Sequence, residues 1–237
     1  MTMAFNLEEQ EQIAVLKAFW KDYGRFILIG LVAFCLCLAA YKGYEYYKKQ
    51  QSILASDEYV LLTGASAKKD LPRVLELTEK MRKDYGKTAY ATLASFVAAN
   101  LAFQVNDSEL ALKQLTWIED QGYNDNYQTL ARYRMVPILI DKKDGAGLEQ
   151  ANLLLKKKPA PGYEILQLEM TGDWYFAQDK LPQAHKAYLE AWDKYLDKKA
   201  KLMGLKEVDS STKEMAKQNP EAEVKLLKIK IDVLGGF

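Results

Sequence analysis

The sequence has 237 residues, 49% of them apolar and 27% charged, enough for one or two domains that bury a core. Lys and Arg number 33 against 32 Asp and Glu, so no general positive field draws in a nucleic-acid backbone. The only two cysteines, Cys35 and Cys37, lie in one apolar run, which excludes a disulfide framework or a thiolate metal site in the rest of the chain.

Residues 1–25 form a tail containing Glu8, Glu9, Glu11 and Asp22, with Ile13, Leu16 and Trp20 at helical spacing. Such a tail either lies on a membrane surface, touches a partner, or stays a frayed polar end. It leads into "FILIGLVAFCLCLAAY", Phe26 to Tyr41, sixteen residues without a formal charge. A cleaved export signal is disfavoured: the preceding tail is long and acidic, and no clean small-x-small site follows. Neither cysteine follows the small residue that lipoprotein processing needs, since Phe34 and Leu36 precede them. Sixteen residues alone fall short of the ~30 Å hydrocarbon core. The flanks make up the difference: Trp20 and Tyr23 before the run, Tyr41, Tyr44, Tyr46 and Tyr47 after it, with Lys21, Arg25, Lys42, Lys48 and Lys49 able to snorkel. Aromatic belts with cations outside them predict an uncleaved membrane anchor over residues 26–47, with lipid as its first partner. The positive charges divide evenly between the two sides, so charge alone does not orient the anchor.

Beyond the anchor the spacing of apolar residues predicts helix throughout, in an all-α repeat region over 48–203. Ser52 to Leu62 presents Ile53, Ala55, Tyr59 and Leu62; after "TGASAKKD", Leu71 to Tyr85 presents Val74, Leu75, Thr78 and Met81. The cycle returns as "TLASFVAANLAFQVND" with "SELALKQLTWIED", "TLARYRMVPILIDKKD" with "LEQANLLLKK", and "ILQLEMTGDWYFAQDK" with "PQAHKAYLEAWDKY". Leu93, Leu130 and Leu166 recur at intervals of 37 and 36. A two-helix unit of that period is the sign of a helical solenoid. Pro137 is expected to bend or interrupt a helix of the third unit. Residues 204–220 turn polar and read as a loop. In the last segment, 221–237, a helix from Glu221 to Leu234 with Val224, Leu227, Ile231 and Leu234 on one stripe is expected to cap the open end.

Gly172, Tyr175, Ala184, Tyr188 and Ala191 in "TGDWYFAQDKLPQAHKAYLEA" resemble a tetratricopeptide repeat in register. The late proline of that motif is replaced by Leu196. In the second unit Ala99, Ala102, Ala111, Leu115 and Ile118 keep the sizes without the aromatics. With "AVLKAFWKDYGRFILIG" entering the membrane and "GDWYFAQDKLPQAHKAYLEAW" in the last repeat, the whole layout resembles the YfgM family of Gram-negative bacteria. That resemblance implies a single-pass inner-membrane protein, its tail cytoplasmic and its repeats periplasmic. It also implies an ancillary role at the SecYEG translocon, with a PpiD-like periplasmic chaperone and unfolded exported chains as further partners. The long polar loop and the irregular earlier repeats depart from it.

In the repeat register implied by that resemblance, the first helix of each pair turns four positions to a concave face: Leu93, Phe96, Asn100 and Phe103; Leu130, Tyr133, Pro137 and Ile140; Leu166, Glu169, Asp173 and Phe176. This lining is apolar and aromatic with an acidic end, suited to a helix or an extended hydrophobic segment rather than a charged peptide terminus. Whether these residues are groove or simply core stays open, as does whether the C-terminal stripe fills part of the groove in cis. Phe96→Glu with Tyr133→Glu is expected to weaken partner capture if they line a groove, and to collapse helicity if they are core.

Nothing in the sequence points to catalysis, a cofactor or a small-molecule substrate. His185, the only histidine, follows a packing alanine and is expected on an exposed face. "GKT" at Gly86–Thr88 lacks the first glycine of a phosphate loop, with Met81 in its place, and "GAG" at Gly145–Gly147 follows no strand; both read as turns. "NDS" at Asn106 is a chance-length match to a glycosylation acceptor. Two functions remain: an anchored interaction module beside an export channel, or a structural protein that self-associates in envelope or division assembly.

Overall fold

The computed structural model describes residues 3–202, 204 and 222–236. Every regular element among them is helical, and the chain divides into two compact units, Met1–Ile53 and Leu54–Phe237. The first helix, α1, runs Met3–Ala67; its part up to Ile53 is the first unit and its last turns open the second. Among the described residues there is one candidate membrane span, within Glu11–Ala67, of mean hydropathy 2.1 and with none of its apolar window buried by protein. Large apolar side chains from Phe26 to Tyr41 are exposed, as lipid contact requires. Cys35 and Cys37 are both unbridged and exposed within it.

The second unit is a solenoid of helix pairs. The end of α1 meets α2 (Leu71–Tyr85) through Leu62, which clusters with Val74, Leu77 and Met81, and through the Glu58–Lys80 ion pair. Helix α3 (Ala89–Gln104) packs with α4 (Ser108–Gln121), α5 (Asp125–Asp141) with α6 (Gly145–Lys156), and α7 (Glu164–Phe176) with α8 (Leu181–Leu202). The pairs expected from the sequence are the pairs observed, except that helix α1 continues through the anticipated break at Thr63 as far as Ala67. Most of the polar loop, from 205 on, and Glu221 lie outside the described residues. A 3-10 turn, Ala222–Val224, then leads into α9 (Lys225–Val233), with Val224, Leu227 and Ile231 buried and Leu234 partly so.

Each pair is closed by the same joint. Lys69, Asn106, Lys143 and Asp179 have φ of 56°, 63°, 53° and 60° and stand 37, 37 and 36 residues apart. In three of the four, the next residue's N–H reaches back to a carbonyl five positions earlier: Asp70 to Ala65, Asp107 to Ala102 and Lys180 to Tyr175. That is a Schellman closure with a left-handed residue, satisfying helix-end carbonyls without glycine. In the first three joints an aspartate then caps the following helix: Asp70 accepts from Arg73 N–H (3.1 Å), Asp107 from Leu110 N–H (2.9 Å) and Asp144 from Gly147 N–H.

Neighbouring pairs are tied by a second repeated device. The hydroxyl oxygens of Thr92 and Thr129, both buried, accept from the backbone N–H of Tyr123 and Ala160, each at 3.0 Å. These N–H groups belong to the loops between one pair and the next, where a helix ladder offers no partner. The Gly145–Gly147 segment is not a turn: it is the first helical turn of α6, and a Cβ on Gly147 would press on the Leu139 carbonyl. Gly86–Thr88 does form the turn between α2 and α3, and Thr88 caps the latter. Pro137 lies inside α5, which runs on unbroken to Asp141 because Ile138 and Leu139 on its far side are clamped into the core.

Electrostatics supplement the apolar contacts between α4, α5 and α6. The Glu119 carboxylate lies 2.6 Å from Lys157 Nζ and 3.4 Å from Arg132 Nε. Burial would raise its pKa, but the Lys157 hydrogen bond and charge, with Arg132 behind them, outweigh that and hold it below the ordinary carboxylate value. A depressed folded pKa contributes stability above the ordinary value and loses it as pH falls through the folded one. Acid unfolding of the native chain should therefore steepen below about pH 4. Glu119→Gln should be less stable at neutral pH with a flatter acid limb; equal acid limbs in denaturant titrations would refute this.

Candidate partner-binding groove

The first helix of each later pair, α3, α5 and α7, borders a cavity of about 640 Å³ within the second unit. Phe96, Asn100 and Phe103 enter it from α3, Leu130, Tyr133 and Pro137 from α5, and Leu166 from α7. These seven belong to the lining that the repeat register implied. Val97, Arg134 and Met170 line it as well and were not anticipated. The omission has a geometric cause: the register takes one residue per turn, whereas Leu130, Tyr133, Arg134 and Pro137 at i, i+3, i+4 and i+7 share one face.

Phe96 and Tyr133 serve two purposes. They wall the cavity, yet they are 7% and 3% exposed and belong to the central core with Leu115, Ile118 and Leu139. Glutamate at either would bury a charge, so these are the wrong positions at which to test binding without unfolding. Phe103, 53% exposed, is the right one. The Tyr133 hydroxyl is buried without a hydrogen-bond partner among the described residues. Burial, opposed by Arg132 and reinforced by Glu164, pushes its pKa up to about 12, so it stays a neutral phenol.

Leu93 and Ile140 are half-buried and outside the cavity, and Ile140 packs on the central core. Phe176 is exposed on the last turn of α7, also outside it. Glu169 and Asp173, the expected acidic end, are taken by the chain's own α9. Lys230 Nζ lies 2.7 Å from Glu169 Oε1 and 2.7 Å from Asp173 Oδ1, and 5.6 Å from the centre of the Tyr188 ring. Tyr188 donates its hydroxyl to Asp173 Oδ1 at 2.8 Å. Burial first, and the Asp173 carboxylate second, drive the Tyr188 phenol far above its usual pKa. Its ring lies against the bare Cα of Gly172, where any Cβ would collide with it. His185 is half-buried rather than exposed, and its Nε2 meets the Gly236 carbonyl at 2.7 Å, fastening the residues after α9 to α8.

A stack of paired helices closed by a packing glycine at Gly172 and edged by a concave apolar face sets the expected kinship. A family model described as a tetratricopeptide repeat-like domain matches residues 17–210. The chain belongs to that tetratricopeptide repeat-like family. Its relatives include a protein of Neisseria gonorrhoeae named "Ancillary SecYEG translocon subunit", 28% identical over 81% of this chain and 91% of the relative. Proteins of the same name from Aggregatibacter actinomycetemcomitans and Haemophilus influenzae are 25% and 23% identical, each over 80% of this chain and 91% of their own. No solved structure matches it significantly. Among the described residues, no group of three His, Cys, Asp or Glu side chains is placed to hold a metal ion.

Proposed function

We propose that this chain is a membrane-anchored protein-interaction module ancillary to a SecYEG translocon, working in the inner membrane without chemistry of its own. In this reading residues 1–25 are cytoplasmic, the apolar stretch of α1 spans the bilayer, and the repeat unit stands in the periplasm. There it holds exported chains near the channel and passes them to a PpiD-like chaperone. Three things support the reading: relatives that bear the translocon-subunit name, a span with no protein contact over its apolar window, and the cavity between α3, α5 and α7. The last carries it, because a concave apolar wall of about 640 Å³ is what a repeat scaffold offers to a hydrophobic polypeptide segment.

The test uses the full-length chain expressed in its membrane. Mild detergent should recover it with translocon subunits and a periplasmic isomerase-like chaperone, and protease added to spheroplasts should remove the repeat unit. Phe103→Glu should lower recovery of chaperone or client about tenfold, the scale of one interface hot spot, with an unchanged circular dichroism spectrum. Recovery of copies of itself alone, or extraction by carbonate, would overturn the proposal.

A further inference from the structure

The groove contains one charged side chain, and it is uncommitted. The repeat unit has four arginines. Arg73 pairs with Glu76, Arg82 with Glu79 and Arg132 with Glu119. Among the described residues Arg134 has no acidic partner and stacks on an aromatic ring. Its guanidinium carbon sits 4.8 Å from the centre of the Phe96 ring, on the rim of the apolar cavity. Stacking holds the planar group in place over the ring while its edge, the fork of N–H donors, stays open. Arg134 is exposed, so those donors are open to a ligand from solvent, and a carboxylate is the anion whose two oxygens match the fork. The acidic residues of the expected lining, Glu169 and Asp173, are held by Lys230.

We infer that the groove selects polypeptide segments carrying an Asp or Glu beside two or three aliphatic or aromatic side chains. The carboxylate docks on Arg134 and the apolar side chains enter between Phe103, Leu130, Pro137 and Met170. This rests on the reading of the groove as a partner surface and adds a charge preference to it. A segment with lysine at the same place meets like charge and is rejected.

The experiment takes the full chain in lipid nanodiscs, with empty nanodiscs as baseline. The probe is a short fluorescein-labelled peptide of Leu, Phe and Ser with a single central Glu, compared with its Gln and Lys counterparts by anisotropy. The Glu peptide should bind about tenfold tighter than the Gln peptide, the scale of a charge-assisted hydrogen bond, and the Lys peptide weakest. Arg134→Gln should abolish the Glu-over-Gln gap, and Arg134→Lys should restore part of it. Phe103→Ser should weaken all three peptides. Equal affinity for Glu and Gln peptides, with Phe103 dependence retained, overturns the carboxylate preference and leaves the groove standing. Failure of every peptide to bind, or indifference to Phe103→Ser, overturns the groove itself and this inference with it.

Discussion

Arg82→Ala should cost about 3–5 kcal/mol of folding free energy, the range for removing one member of a buried charged network. The Arg82 side chain is 8% exposed and joins three helices of the second unit. Its Nε donates to Ser95 Oγ on α3 at 2.9 Å and its Nη2 to Gln114 Oε1 on α4, and its guanidinium lies 4.5 Å from the Trp117 ring. Burial pulls its pKa down to about 10, against the Glu79 carboxylate that supports it, so the charge persists at neutral pH. Alanine removes the charge and also leaves the Gln114 amide, 2% exposed, without its donor. Replacing the network as a whole is a different matter: Arg82→Met with Gln114→Leu keeps the volume, leaves no orphaned polar group, and should recover most of the loss. Thermal melting decides it. Alanine should lower the midpoint by roughly 10 °C and the double variant by much less. If the double variant is as unstable as the single, the polar network is worth more than its desolvation costs.

Lys230→Glu should release α9. The variant sets a third carboxylate beside Glu169 and Asp173, which the native lysine neutralises from a side chain 20% exposed. Losing both contacts and gaining repulsion should cost about 3 kcal/mol locally. The loss falls on one element, because α9 packs chiefly on α8 and is tied to α7 through Lys230. Hydrogen exchange should show the amides of Lys225–Val233 losing protection while those of α3 to α6 keep theirs. Glu169→Lys in the same chain should restore part of the protection. Unaltered exchange in the single variant would mean that Leu227 and Ile231, both buried, hold the helix without help.

Most of the fold was legible because it is repetitive. The helix pairs follow from leucines 37 and 36 residues apart, and the last repeat from Gly172, whose missing side chain is filled by Tyr188. The joints were not legible, since Lys69, Lys143 and Asp179 do not advertise a left-handed backbone as glycine does. The cavity wall was legible at most of the positions named on α3 and α5, Leu93 and Ile140 excepted, and at Leu166 on α7, because a helical face is a local property of the sequence. The acidic end was not: what becomes of Glu169 and Asp173 depends on Lys230, 61 and 57 residues further along. The role of Phe96 and Tyr133 as both wall and core likewise depends on the neighbouring pair, and no spacing rule encodes it.

The threonine stitches limit how this scaffold can change. Thr92 and Thr129 each lie in one pair, and the amides they satisfy lie in the loop leading to the next. A deletion that excises a single hairpin leaves a buried threonine hydroxyl or a loop amide without its partner unless the cut preserves the 37-residue phase. The array therefore shortens or lengthens only in whole periods, and its modules are interlocked like roof tiles rather than threaded like beads.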